Sequence, residues 1–165
     1  MSIRPERSGD EAAIHDLTNE AFFGKSYSDG TEAALVGKLR DAGVLSVSLV
    51  AERDAEIVGH VAFSRVDVSN GTTDWYGLGP LSVAPERQGR GVGSRLVGEG
   101  LSAIKSLGAR GCILVGDPNY YSRFGFRGDC GLTYGDVPDK YVQGLAFTGD
   151  IPTGAVEFHP AFGGQ

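Results

Sequence analysis

Between Leu78 and Leu107 the chain reads LGPLSVAPERQGRGVGSRLVGEGLSAIKSL. An apolar strand pattern runs into the loop Arg87-Gln88-Gly89-Arg90-Gly91-Val92-Gly93-Ser94-Arg95, which opens an amphipathic helix. No other stretch constrains the fold as strongly. Glycines at alternate positions let the backbone turn tightly with no side chain in the way. The start of a helix presents N–H groups without intrahelical acceptors and a partial positive charge. A strand that ends in such a loop and continues as a helix is a cradle for a phosphate or pyrophosphate.

The same stretch sets a topology. The helix, expected over Ser94 to Leu107, carries Leu96, Val97, Leu101, Ile104 and Leu107 at near-helical intervals, and Gly108 ends it. Gly98 and Gly100 weaken it and predict close packing. The wholly apolar run Cys112 to Val115 then reads as a buried strand. Strand, helix and strand make a right-handed crossover with the two strands parallel.

The rest of the chain fits around this unit. Ile3 to Arg7 is a short opening strand. Helices are expected from Glu11 to Phe23, with Ala13, Ile14, Leu17, Ala21 and Phe22 inward, and from Thr31 to Asp41, with Ala34, Leu35, Val36 and Leu39 inward. The polar Gly24–Gly30 segment between them is a loop of the kind that selects substrates. Leu45 to Glu52 alternates as a half-buried strand and pairs with Ile57 to Val68 across the Arg53–Glu56 turn. Asn70-Gly71 turns the chain into a third strand, Trp75 to Val83. Gly77, Gly79 and Pro80 predict an interruption in it, where something approaches its backbone. Asp117 to Arg123 reads as a short helix, and Tyr141–Phe147 and Ala155–Phe158 as closing strands.

Length and charge narrow the class. A chain of 165 residues is expected to form one domain, 1–165. With 15 basic against 21 acidic residues it is a poor partner for nucleic acid. Arg87, Arg90 and Arg95 form a basic island in this acidic chain, which suits a small anionic ligand, although solvated positions explain them equally. Two cysteines set no disulfide framework, and Cys112 reads as a buried, inert thiol. No signal-peptide pattern or membrane-length apolar run is present, so the expected location is the cytoplasm. His15 and His159 lack ligand-like companions, so no metal is expected.

The loop fails the Walker pattern, since no Lys-Ser/Thr pair follows its glycines. It also fails the dinucleotide fingerprint: Ser94 stands where the third glycine belongs. What remains is Gln88-x-x-Gly91-x-Gly93 after Val83-Ala84-Pro85. This resembles the acyl-CoA signature of the GNAT N-acetyltransferase superfamily. Downstream, Tyr120-Tyr121-Ser122-Arg123-Phe124-Gly125-Phe126 resembles that family's aromatic-Tyr-x-x-x-Gly-Phe segment, at the family's spacing. Gly79-Pro80-Leu81 and Gly116-Asp117-Pro118 are similar to its bacterial YhbS-like branch.

The resemblance implies an α/β fold: a mixed, mostly antiparallel sheet with helices on both faces, splayed at a parallel strand pair, Leu78–Val83 and Cys112–Val115. It implies an enzyme that transfers an acetyl group from acetyl-CoA to a primary amine, small-molecule or peptide, by direct attack in a ternary complex. The amides of Gln88, Gly89, Arg90, Gly91, Val92, Gly93 and Ser94 would bind the pyrophosphate. The backbone of Leu81, Ser82 and Val83 would pair with the pantetheine arm, and the Val83 N–H could face the thioester oxygen. Asn119 would contact the CoA arm or cap a helix. Tyr121 would be the general acid: phenols, with an ordinary pKa of about 10, are protonated at neutral pH and can give a proton to a departing thiolate. Glu20, His60, Asp74 and Asp117 are the side chains eligible as base, alongside a water chain, and none is singled out. Many members of the family are dimers, which makes a homodimer a candidate assembly. The alternative to an enzyme is a non-catalytic acyl-CoA sensor or interaction module; a nucleotide-binding domain is more remote.

Overall fold

The structure, a computed structural model, describes residues 1–162. The chain forms two compact units, one from Met1–Phe63 and Gly79–Ser102, the other from Ser64–Leu78 and the residues from Ala103 onward. Each is therefore built from two separate stretches of sequence.

The first unit holds β1 (Ser2–Pro5), α1 (Glu11–Phe22), α2 (Glu32–Asp41), β2 (Leu45–Arg53), the start of β3 (Glu56–Val68), the end of β4 (Trp75–Val83) and most of α3 (Val92–Ser106). α1 buries Ile14, Leu17, Thr18 and Ala21, which fall on one face at spacings of three and four. Its start is held by Arg4, whose guanidinium bonds Asp10 at 2.8 Å and Glu52 at 3.2 Å. Ala13, expected inward, is exposed. α2 buries Ala33, Val36 and Leu39 and leaves the expected Ala34 exposed. Adjacent alanines are equally apolar, so the phase of that face comes from packing.

Helices cover both faces of the strands, because successive strand residues point to opposite sides. Val50 packs with Ile14 of α1 and Val36 of α2. On the other side lies α3: a Cβ at Gly59 would stand 2.8 Å from Leu96 and Val92 and 3.3 Å from Ala51. A Cβ at Gly100 would collide with the Phe63 ring, so close approach explains that helical glycine. Gly98 has no such reason: it is exposed, with nothing within 4 Å of a would-be Cβ. Gly98→Ala should therefore raise stability by about 0.5–1 kcal/mol, read as a shift in denaturant midpoint at constant m.

The second unit contains β5 (Gly111–Val115), α4 (Pro118–Tyr121), β6 (Leu132–Thr133), β7 (Val142–Ala146) and β8 (Gly154–Glu157), with the end of β3 and the start of β4. β4 and β5 are parallel over Trp75↔Gly111, Tyr76↔Cys112 and Gly77↔Ile113, where their ladder ends. β5 is antiparallel to β7 from Gly111↔Ala146 to Val115↔Val142. β8 pairs antiparallel with β3 and parallel with β6. Val66, Val68, Trp75, Ile113, Leu132, Val142 and Val156 form the core. Along the main sheet the order is β1-β2-β3-β4-β5-β7.

Several expectations change here. β4 is one unbroken strand through Gly77, Gly79 and Pro80, with a cis Gly79–Pro80 peptide. β6 has too few residues to leave a periodic pattern in sequence. Val115 is 42 % exposed, so the apolar run of β5 is buried only through Leu114. Leu107 lies beyond the end of α3 and is 53 % exposed.

Candidate active site

In the first unit, β4 ends at Val83 and the Ala84 N–H donates to the Val58 carbonyl at 2.8 Å. Pro85–Arg87 make one 3-10 turn, and Gln88 is extended. Gly89 and Gly91 then take φ of 75° and 86°, which glycine alone adopts freely. At both, a would-be Cβ meets nothing within 4 Å, so their outer side is open. The Arg95 N–H donates to the Gly91 carbonyl at 3.1 Å, so Gly91 stands at the helix N-cap.

The helix thus begins two residues earlier than the sequence suggests, at Val92 rather than Ser94. The amides of Val92, Gly93 and Ser94 are first-turn N–H groups of α3, without acceptors inside the helix. Gly93 is helical, and only Gly89 and Gly91 need the left-handed region. Gln88 does more than the sequence shows: its Nε2 donates to the Val83 carbonyl at 3.1 Å, tying the loop to the strand end. Leu81 and Val83 are half-buried; Ser82 is buried, its hydroxyl 3.4 Å from Thr18 Oγ1. Arg90 is exposed, and Arg95 donates to the Met1 carbonyl at 3.2 Å.

In the second unit, β5 leads through Gly116 into α4. Asp117 is the N-cap, accepting from the Asn119 N–H at 2.9 Å, and Pro118 occupies the first turn. The cap is therefore Asp117 and not Asn119, whose side chain is exposed. The N–H groups of Tyr120 and Tyr121 both donate to the Asp117 carbonyl at 3.1 Å. The half-buried Tyr121 ring meets Tyr120 edge-on at 4.9 Å and Phe126 at 6.0 Å between centroids. Arg123 covers the Tyr120 ring at 4.4 Å.

Among the side chains eligible as base, three are engaged elsewhere. Asp117 caps α4, and Asp74 pairs with Arg65 at 3.2 Å. His60 is fully buried, its Nε2 2.8 Å from Ser48 Oγ, which in turn donates to Glu6 at 2.7 Å. Burial pulls the imidazole down to about 4; Glu6 opposes this and Arg40 adds to it. Burial also works to raise the Glu6 carboxyl, but hydrogen bonds from Arg40 and Ser48 outweigh it and hold it below the ordinary range. Glu20 is exposed. Cys112 is buried, and burial raises its thiol well above the ordinary value, which disfavours a thiolate nucleophile.

The His60 shift has a consequence for stability. Between pH 6.5 and 4 the unfolded chain takes up a proton at His60 that the folded chain refuses. Stability is complete above pH 6.5 and falls as the pH drops through that window, by roughly 3 kcal/mol for this group. Melting curves should show wild type losing more stability than His60→Gln over that range; parallel losses would remove His60 from the acid response.

No helix among the described residues is long and apolar enough to cross a membrane, and no described group of three or more His, Cys, Asp or Glu could hold a metal ion. Comparison with known proteins places this geometry. Residues 11–126 match the model of the acetyltransferase (GNAT) family. The chain is 41 % identical to the uncharacterized N-acetyltransferase YhbS of Escherichia coli K12 over 127 residues, 76 % of this chain and 73 % of that one. A GNAT acetyltransferase from Brucella melitensis, solved with acetyl-CoA, superposes with a TM-score of 0.88 at 46 % identity, covering 98 % of this chain and 97 % of its own. E. coli YhbS solved with CoA gives a TM-score of 0.88 at 34 % identity, over 98 % of this chain and 91 % of its own. With the strand order, the parallel β4–β5 pair and the glycine turn into α3 all in place, the chain belongs to the GNAT acetyltransferase family.

Proposed function

We propose that this enzyme transfers an acetyl group from acetyl-CoA to a primary amine by direct attack in a ternary complex, as a single domain working in the cytoplasm. The glycine turn carries the reading. Gly89 and Gly91 bend the backbone into the start of α3, whose first-turn N–H groups give an open donor edge, while the Gln88 N–H is already taken by the Pro85 carbonyl at 3.4 Å. A pyrophosphate is the ligand such an edge suits. The Brucella and E. coli relatives, solved with acetyl-CoA and CoA, support that ligand here.

The remaining roles follow the chemistry. The amides of Gly89 through Ser94 hold the pyrophosphate, with Gln88 bracing the loop through its bonds to Pro85 and Val83; Asn119 contacts the CoA arm, and the backbone of Leu81 to Val83 pairs with pantetheine as a strand would. The Val83 N–H faces the thioester oxygen, where an amide stabilises developing negative charge. The neutral amine attacks the acetyl carbonyl carbon, the C–S bond breaks, and the leaving thiolate takes the phenol proton of Tyr121. The amine gives up its own proton to bulk water and the Tyr121 phenolate takes one back from it, while His60, Asp74 and Asp117 keep their structural partners.

An acceptor screen tests this reading. Thiol release from acetyl-CoA is followed with spermidine, free amino acids, an aminoglycoside, a lysine peptide and a peptide with a free N-terminus. Acetylation of at least one amine is expected. Tight acetyl-CoA binding with no amine acetylated would turn the reading into a sensor.

A further inference from the structure

Gln143 is the second residue of β7, opposite Leu114 of β5, and is fully buried. Its Nε2 donates to the Gly116 carbonyl at 2.9 Å. Its Oε1 is also buried and has no hydrogen-bond partner. An apolar residue of similar size would remove the orphaned Oε1 but would leave the Gly116 carbonyl without its donor. The amide is therefore costly as packing, and its value lies in what its N–H holds.

What it holds is the seat of Tyr121. Gly116 lies between the end of β5 and the Asp117 cap of α4. Both its backbone groups are fixed: the N–H donates to the Tyr141 carbonyl at 3.1 Å, and the carbonyl accepts from Gln143. A Cβ on Gly116 would lie 2.7 Å from Tyr121 Cε2 and 3.1 Å from its Cδ2. The ring thus rests directly on the Gly116 backbone, with Phe126 and Tyr120 on its other sides. Tilting that peptide would move the surface against which the phenol is aimed. Gly116 is glycine for this contact, since its φ is not in the left-handed region.

We propose that Gln143 is a positioning residue for the acid step, setting the aim of the Tyr121 phenol through the Gly116 carbonyl. This rests on the assignment of Tyr121 as the general acid. Gln143→Met keeps the volume and removes the donor. Gln143→Glu is the second variant: its carboxyl, raised by burial, can donate to Gly116 only while protonated.

Two readouts test the proposal separately. Proteins labelled with ring-carbon-13 tyrosine are compared by NMR, with the Tyr121 signal assigned by its loss in Tyr121→Phe. Turnover is measured with acetyl-CoA and the best amine of the acceptor screen, or by acetyl-CoA hydrolysis if no amine is acetylated. Gln143→Met should shift the Tyr121 signal, leave those of Tyr27 and Tyr76 in place, and lower kcat about tenfold with KM for acetyl-CoA within about twofold. Gln143→Glu should regain kcat relative to wild type as the pH falls; it decides the matter alone should the methionine variant not fold. Adding Gln143→Met to Tyr121→Phe should cost little more. An unmoved Tyr121 signal overturns the proposal, as does a full kcat in Gln143→Met when Tyr121→Phe is slow. A fast Tyr121→Phe overturns the acid assignment itself, and the NMR comparison tells that failure from a failure of positioning.

Discussion

Gly91→Glu is expected to weaken acetyl-CoA binding by at least about 100-fold, some 2.7 kcal/mol, in calorimetric titration. Gly91 caps α3, and its outer side is open. A carboxylate there would project beside the first-turn N–H groups, answering the positive end of the helix as a phosphate would. It would compete with the pyrophosphate for those donors and repel it. The φ of 86° adds backbone strain, about 1 kcal/mol for a residue with a Cβ. Gly91→Ala carries that strain without the charge and should keep most of the affinity. Equal affinities for wild type and Gly91→Glu would remove the loop from the CoA site.

Tyr121→Phe is expected to lower kcat by about 100-fold or more while KM for acetyl-CoA changes within about twofold. The substitution removes one oxygen and keeps the ring, so the contacts with Gly116, Tyr120 and Phe126 survive. On the proposed mechanism, what is lost is the proton donor to the departing thiolate. The deficit should shrink when the leaving thiol is more acidic, because a stable thiolate needs less help. An undiminished rate would take Tyr121 out of the mechanism.

These two residues mark how differently the molecule can be read. Gly91 is legible from sequence because its role is local: alternate glycines before an amphipathic run specify a turn and an exposed helix start. The helix boundary itself moved by two residues, since first-turn residues have helical dihedrals before any periodic apolar position announces them. Gln88, expected from sequence to offer a backbone amide, gives that N–H to the Pro85 carbonyl and ties the loop to Val83 through its side chain. Gly98 and Gly100 look alike in sequence, yet only Gly100 has an aromatic ring against it.

His60 and Gln143 lie at the other extreme. Both are polar residues in strands, and both are completely buried. Sequence offers His60 as an eligible base; the structure encloses it against Ser48 and depresses its proton affinity. Gln143 carries no motif at all, because its partner Gly116 is 27 residues away and is reached only through the β5–β7 pairing.

Taken by itself, the sequence determined the family, the order of nearly all the elements and the glycine turn that opens α3. Those depend on spacings of a few residues, set by backbone dihedrals and the periods of helix and strand. Tertiary structure alone decided which glycines are needed, which alanine of α2 turns inward, what becomes of His60 and what braces the Tyr121 ring. Each of these depends on a contact between segments distant in sequence, where volume and an unpaired hydrogen bond choose the residue and local pattern does not.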